Sequence, residues 1–205
     1  MGPLVLQFLM AMFVTLNLMA PIASNKVAIV FGVTFAVGSL LVGISYGLLD
    51  VVNDWKGKAT ARQTVVVALA VRAVFFLVVL PIVFLLPTSH ATEGFDAFLG
   101  MSARLFFAGW VSLWLGGLYV NTPLFSNLRE RFKGRWFILR YLVTSFPTIL
   151  VGSIVYGILG FYGTKVDVFA LIWGTVVARV LISIVLVPVV ALVRIGVRHL
   201  GNTDN

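Results

Sequence analysis

The chain has 205 residues, of which 60% are hydrophobic and only 11% are charged, whereas about 25% of the residues in an ordinary soluble domain are charged. Its mean hydropathy is +1.08. Several stretches of about 20 residues hold almost no charge, which is the length that a helix needs to cross the hydrocarbon core of a bilayer. The polar–apolar alternation that is typical of barrel strands does not occur. These properties exclude a soluble domain and predict an all-α integral membrane protein.

Hydropathy predicts a bundle of about six transmembrane helices that forms a single domain over residues 1–205. In chain order, the expected spans are Leu4–Ile22, Val27–Leu49, Gln63–Leu86, Leu99–Asn121, Phe137–Phe161 and Val168–Val193. The connectors between them, all too short for a soluble domain, are Ser24–Lys26, Asp50–Arg62, Pro87–Phe98, Thr122–Trp136 and Tyr162–Asp167. The first span lacks a basic leading segment and a good cleavage site, so we expect a retained helix rather than a signal peptide.

The basic residues lie mostly on one side of this predicted bundle. The second connector, the fourth connector and the C-terminal end hold Lys56, Lys58, Arg62, Arg129, Arg131, Lys133, Arg135, Arg194 and Arg198. The basic residues of the alternate connectors are Lys26 and Lys165. Because cytoplasmic connectors are enriched in Lys and Arg, the pattern predicts a multi-pass protein of the cytoplasmic (inner) membrane with both termini in the cytoplasm. It also accounts for the net charge of +8 without a nucleic acid partner.

Residues that usually carry catalysis or hold a metal are scarce. The chain has no Cys, and its two His residues, His90 and His199, fall in predicted polar segments. We therefore expect neither a thiolate nor a His-based metal site. No phosphate-binding P-loop motif occurs, and no nucleophile–base pair is indicated within the membrane. The sequence predicts no enzyme, no catalytic residue, no metal and no cofactor.

Four arginines fall inside the predicted spans: Arg72, Arg104, Arg140 and Arg179. An arginine at the centre of a spanning helix costs at least about 2.5–3.5 kcal/mol on insertion scales. Arg72 and Arg179 lie near the midplane, so we expect both to face the bundle interior, where they pair with carbonyl or Asn groups or line a polar cavity. Arg104 and Arg140 lie near span ends, where their side chains can reach the headgroups.

Small residues indicate where the helices pack closely. Ala108, Ser112 and Gly116 recur every four positions along the fourth span and therefore share one helix face. Such a ridge lets two helix backbones approach each other. We expect it to face a neighbouring helix.

One stretch of the chain carries a specific motif. Ser24–Val27 reads S-N-K-V just before the second span, and that span leads into Asp50–Gly57, D-V-V-N-D-W-K-G, followed by A-R at 61–62. This resembles the vitamin-uptake-transporter-like family of queuosine precursor transporters, whose pattern is A-N-K-[I/V], an apolar span closing in D-V-V-N-E-x-Y-G, and a later A-R. The likeness covers essentially the whole chain, with further matches at Arg104, Arg140, Arg179 and Arg194.

The resemblance implies a transporter that takes up a small, polar, planar solute, namely a queuosine precursor of the 7-deazaguanine type. Its expected partners are that solute and the lipid bilayer. By predicted depth, Asn25, Lys26 and Arg104 belong to an outer vestibule, whereas the D-V-V-N-D segment lies at the inner end. With the midplane arginines and an Asn that ends the fourth span, the substrate-binding candidates are Asn25, Lys26, Asp50, Asn53, Asp54, Arg72, Arg104, Asn121 and Arg179.

The chain departs from the family pattern at two places where a Gln and an Asp, three residues apart, are usual. The corresponding residues here are Leu118 and Asn121 at the end of the fourth span, and Ile149 and Gly152 in the fifth. A 7-deazaguanine base presents donor NH groups, and each polar group that loses its partner costs about 1–3 kcal/mol. These departures therefore bear directly on substrate specificity.

Other interpretations stay open at this stage. Asp50, Asn53 and Asp54 could form only a helix end, with Asp54 paired to Lys56 or Lys58. The chain could be the substrate-binding subunit of an energy-coupling-factor type importer for another vitamin-like molecule, working with partner ATPases. It could also be a non-transporting membrane protein. A homo-oligomer is compatible with each of these.

The charge pattern yields a topology test. Because the chain contains no cysteine, the single replacements Lys56→Cys, Arg131→Cys and Thr92→Cys can be probed one at a time. In intact cells, an impermeant thiol reagent should label the cysteine at 92 and leave those at 56 and 131 unlabelled until the cells are opened. Labelling at 56 from outside would contradict the predicted orientation.

Overall fold

The computed structural model describes residues 2–79, 81, 85 and 94–201. Its helices are α1 (Gly2–Ala23), α2 (Gly38–Lys56), α3 (Lys58–Val74), α4 (Phe95–Leu113), α5 (Thr122–Arg131), α6 (Phe137–Phe161) and α7 (Val168–Gly201). Two π-helical segments, Phe75–Val79 and Trp114–Asn121, continue α3 and α4. His90, most of the predicted third connector and the end of the predicted third span lie outside the described residues.

The helices confirm an all-α membrane bundle. Among the described residues, the segments that are long and apolar enough to cross a bilayer are Pro3–Ala23, Lys58–Val78, Ala97–Arg131, Phe137–Phe161 and Val168–Val197. α2 adds a sixth span, since its 19 residues extend about 28 Å. It is more polar than the others and packs between α1 and α7, so its polar residues are enclosed by the bundle.

The second predicted span is wrong over its first ten residues. In their place the chain forms an antiparallel β-hairpin of β1 (Val27–Val30) and β2 (Val33–Ala36), with Val27 paired to Ala36. Phe31 and Gly32 have φ values of +51° and +78°, the two positive values that a tight type I′ turn requires. Hydropathy does not separate this apolar hairpin from a helix, although its β-branched residues favour strands.

Two predicted connectors are also largely helical. The expected connector Asp50–Arg62 is interrupted only at Gly57, whose φ of +87° ends α2 and begins α3. The expected connector Thr122–Trp136 is helical through Arg131. Hydropathy marks the edge of the hydrocarbon layer, whereas a helix ends where glycine and capping geometry end it. Asp50, Asn53 and Asp54 therefore belong to a helix, α2, and are buried inside the bundle.

Two apolar clusters lie at opposite ends of the bundle. We call these the basic end, after the basic residues at the α2–α3 and α5–α6 junctions, and the hairpin end, after the hairpin of β1 and β2. At the basic end, the start of α1, the α2–α3 junction, the α5–α6 turn and the end of α7 meet in a cluster that includes Leu9, Val52, Phe125, Phe137 and Val197. At the hairpin end, the β-hairpin meets α4, α6 and α7 in a cluster that includes Ala36, Leu105, Phe161 and Leu171. The first and last described helices thus begin and end at the same end of the bundle.

The hairpin lies against α7 at Gly174, where a Cβ atom would overlap the backbone of Thr34. Gly174→Ala should therefore lower the free energy of unfolding by about 1–3 kcal/mol, the usual cost of overpacking. Thermal unfolding in detergent micelles measures the change. Gly196→Ala is the matched control, because Gly196 lies in the same helix and a Cβ there meets nothing within 4 Å. Equal unfolding midpoints for the two variants would contradict the packing.

Candidate substrate cavity

A small polar cavity lies between the six spanning helices, in the half of the bundle nearer the hairpin. Each of these helices contributes polar side chains or backbone to its wall; the polar side chains are Asn17, Ser24, Ser39, Tyr46, Arg72, Ser112, Tyr156 and Arg179. The free space among them is about 20 Å³, which holds about one water molecule. The cavity is therefore almost filled by its own side chains.

Arg72 reaches the cavity from α3 and is only 2% exposed. Its Nη2 donates to the backbone carbonyl of Asn17 on α1, while its Nε and Nη1 have no hydrogen-bond partner. The guanidinium packs against Gly109 of α4, where a Cβ atom would lie 2.6 Å from Nη1. One carbonyl contact, of the kind expected from the sequence, thus satisfies only part of this cation.

Arg179 enters from α7 and is 3% exposed. Its Nε has no hydrogen-bond partner, and its Nη1 lies 3.3 Å from the position that a Cβ of Gly152 would occupy. Ser112 Oγ donates to the Gly152 carbonyl at 3.0 Å, so the small-residue ridge of the fourth span does face a neighbouring helix, α6. Arg72 and Arg179 both face the bundle interior, as the sequence predicts.

Two tyrosines complete the polar surface around the arginines. Tyr46 and Tyr156 each lie close enough to interact electrostatically with both guanidinium groups. The Tyr156 hydroxyl lies beside Ser24 but forms no hydrogen bond within 3.5 Å. The cavity therefore combines cationic donors, hydroxyl groups and flat aromatic surfaces.

A second polar pair, Asp50 and Asn121, lies further toward the basic end. Both side chains are fully buried and lie side by side, yet none of their polar atoms has a hydrogen-bond partner within 3.5 Å. Asn121 ends the π-helical segment of the fourth span, a kind of helix distortion that often occurs at functional sites. Asp50 follows Tyr46 by one turn of α2, so this pair adjoins the cavity.

Asp54 is the centre of an ion-pair network at the basic end. Its Oδ1 accepts from Arg140 Nη2, and its Oδ2 accepts from Arg194 Nε, each at 2.7 Å. Arg140 is fully buried and lies over the ring of Phe125 at 4.9 Å. The expectation that Arg140 reaches the headgroups is wrong, because the buried carboxylate of Asp54 holds it inside the bundle. These pairs join α2 to α6 and α7.

Asn53 fixes α5 against α2. Its Nδ2 donates to the Thr122 carbonyl at 3.2 Å, and its Oδ1 accepts from Ser126 Oγ at 3.0 Å. Its backbone carbonyl accepts from Arg129 at 3.3 Å. The side chain of Asn53 is thus fully engaged between two helices, away from the cavity wall.

The three outer candidates lie at the hairpin end of the bundle and do not line the cavity. Asn25 Nδ2 donates to carbonyl oxygens in the last turn of α1 and to Ser102 Oγ at 2.8 Å. Arg104 donates to two carbonyl oxygens at the end of α6, one of them that of Leu159 at 2.8 Å. Lys26 is exposed. Asn25 and Arg104 therefore cap helices.

The cavity brings together Arg72 and Arg179 from the candidate list, and adds residues that the list lacks: Asn17, Ser24, Ser39, Tyr46, Ser112 and Tyr156. Ser112 belongs to the small-residue ridge, and Asn17 is a polar residue in the middle of an apolar span, so both carry a sequence signal. Ser39 and Tyr156 carry none, because only the packing of α2 against α6 and α1 brings them to the cavity.

The cavity offers hydrogen-bonding groups of three kinds. Guanidinium, hydroxyl and amide groups can donate to and accept from a small polar molecule. Among the residues that the structure describes, no three His, Asp or Glu side chains lie together as metal ligands would.

Comparison with known proteins identifies a family. A family model described as "Putative vitamin uptake transporter" matches residues 36–193. The matched range runs from the end of β2 into α7 and includes every cavity helix except α1. Searches of curated proteins and of solved structures gave no significant match.

The Asp54 network yields a stability test. Arg140→Gln removes the fully buried partner of Asp54 and should lower the free energy of unfolding by about 3–5 kcal/mol, because it leaves a buried carboxylate undercompensated. Arg194→Gln is the matched control and should cost less, since the Arg194 side chain is 23% exposed and water can replace it. Chemical unfolding in detergent measures both variants. An equal loss for the two would contradict the central role of Arg140.

Proposed function

Because the chain belongs to the vitamin uptake transporter family, we propose that it carries a small, polar, planar solute across the cytoplasmic membrane, and that the solute is a queuosine precursor of the 7-deazaguanine type. The observation that carries this proposal is the cavity where the six spans meet, because buried polar atoms without hydrogen-bond partners gather there. Carrier proteins commonly bind their solutes between helices near the membrane midplane.

The cavity groups complement a heteroaromatic base. The guanidinium groups of Arg72 and Arg179 can donate to its carbonyl oxygen and ring nitrogen atoms. The hydroxyl groups of Ser39, Tyr46 and Tyr156 can accept from its NH groups, and the tyrosine rings offer flat apolar surface. This combination supports a polar planar solute over an aliphatic one.

The position of Asp50 favours a carrier over a binding subunit that passes its solute to partner ATPases. A carrier with alternating access needs polar groups on both the outer and the cytoplasmic side of its binding site. A binding subunit needs polar groups only on the outer side. Arg72 and Arg179 lie in the cavity, and the Asp50–Asn121 pair continues the polar surface toward the basic end. The proposed topology places that end, with both termini, in the cytoplasm.

Solute entry requires the helices to separate, because the free space is about 20 Å³. The π-helical segments Phe75–Val79 and Trp114–Asn121 interrupt the regular hydrogen-bond ladder in the two helices beside the cavity, and such interruptions are places where helices bend. A groove between these helices, lined by Phe76 and Phe106, reaches Arg72 from the side. We propose that α3 and α4 move apart to admit the solute.

Uptake in cells tests the proposal. Expression in a strain that lacks both synthesis and uptake of 7-deazaguanines should give uptake of a radiolabelled 7-deazaguanine base, without any added importer subunits. Asp50→Asn should reduce uptake to the level of cells without the protein, because it removes the buried carboxylate that adjoins the cavity.

Asp167→Asn is the matched control for this substitution. Asp167 lies outside the cavity, and its Oδ1 accepts from the backbone NH groups of Phe169 and Ala170 at the start of α7, a role that Asn also fills. Membrane abundance is measured for both variants by immunoblot. Normal uptake by Asp50→Asn would reassign this carboxylate to a structural role, and no uptake by the unmodified chain would refute the proposed substrate.

A further inference from the structure

The cavity holds two buried cations and no compensating anion among the described residues. Arg72 and Arg179 are 2% and 3% exposed. The titratable groups that interact electrostatically with both arginines are Tyr46 and Tyr156. The hydroxyl groups of tyrosines are ordinarily neutral. Three guanidinium nitrogens, Arg72 Nε and Nη1 and Arg179 Nε, have no hydrogen-bond partner.

The two buried carboxylates of the described residues, Asp50 and Asp54, do not pair with these arginines. Asp54 pairs with Arg140 and Arg194 at the basic end. Asp50 lies among Asn121, Arg140 and Asp54. Neither forms a salt bridge with the cavity arginines, so the positive charge of the cavity is not neutralised by these side chains.

We propose that the cavity binds the anionic group of its solute, so that the solute carried by this chain is an organic carboxylate rather than a neutral or cationic base. This inference rests on the proposed function and names the charge of its substrate. Arginine matches a carboxylate geometrically, because two parallel N–H donors meet the two oxygen atoms. A carboxylate that enters the cavity can accept from the unpaired donors of Arg72 and Arg179 and brings the negative charge that the described residues of the cavity lack.

Gly152 shows how the chain leaves this charge available. The backbone of α6 at Gly152 lies directly against the Arg179 guanidinium, with Nη1 3.3 Å from the Cβ position. An acidic side chain at 152 would therefore neutralise Arg179 from within the protein. With glycine there, α6 supplies no carboxylate to Arg179, and the charge stays available to a solute.

Binding to the purified protein tests the charge preference. The midpoint of thermal unfolding in lipid nanodiscs is measured against three 7-deazaguanine bases that differ only at position 7, where they carry a carboxylate, a nitrile or an aminomethyl group. Nicotinate and nicotinamide form a second, independent pair. The carboxylate member of a series should reach half-maximal stabilisation at a concentration at least tenfold lower than its neutral or cationic counterparts.

Two substitutions at one position separate charge from shape. Gly152→Asp should raise the concentration of carboxylate needed for half-maximal stabilisation at least tenfold, because the new carboxylate competes for Arg179. Gly152→Asn has the same shape without the charge and should keep the preference. The Cβ contacts are with the ends of the Arg179 and Ser112 side chains, which can move. If Gly152→Asp does not fold, Arg179→Gln is tested in its place. It removes the cation and should abolish the preference for the carboxylate member of each series.

The outcomes distinguish this inference from the proposed substrate. A carboxylate preference in either series supports the inference, and binding of nicotinate without binding of any 7-deazaguanine would refute only the proposed substrate. Equal or weaker binding of the carboxylate member in both series overturns the inference, even if the cells take up the nitrile or aminomethyl base.

Discussion

A polar or charged group inside a bilayer finds no water, so it must meet a partner within the protein or stay at high free energy. The bundle is arranged around this constraint. α2 carries its polar residues through the middle of the bundle, where α1 and α7 enclose them. At the basic end the constraint is largely met, because Asp54 pairs with both Arg140 and Arg194. In the cavity it is only partly met, because Arg72 has a single carbonyl partner.

This difference separates the residues that build the bundle from those proposed to bind solute. Asn53, Asn25 and Arg104 all have their side chains engaged with neighbouring helices, so they stabilise the fold. Asp50 and Arg179 keep buried polar atoms without partners, a cost that a binding site repays when the solute arrives. The departures from the family pattern fall at the same places: Asn121 lies beside Asp50 and Gly152 beside Arg179.

Much of the fold follows from the sequence, because hydropathy reports which segments prefer hydrocarbon. The span Phe137–Phe161 matches α6 at both ends, and the midplane depth of Arg72 and Arg179 predicts their inward orientation. The hairpin at Val27–Ala36 does not follow, since apolar strands and apolar helices have equal hydropathy. The partner of Arg140 does not follow either, because Asp54 is 86 residues away and only tertiary packing brings them together. Ser39 and Tyr156 are absent from the predicted site for the same reason.

The central claim is that the solute occupies the cavity between Arg72 and Arg179. Since the chain lacks cysteine, Ser39→Cys places one thiol in the cavity wall, and Ser126→Cys places a buried control thiol beside Asn53. The direct measurement is the rate at which a small thiol reagent modifies each cysteine in proteoliposomes, with and without saturating transported solute. The account predicts at least tenfold slower modification at 39 with solute present and no change at 126. An unchanged rate at 39, under conditions in which the Ser39→Cys variant transports the solute, would contradict it.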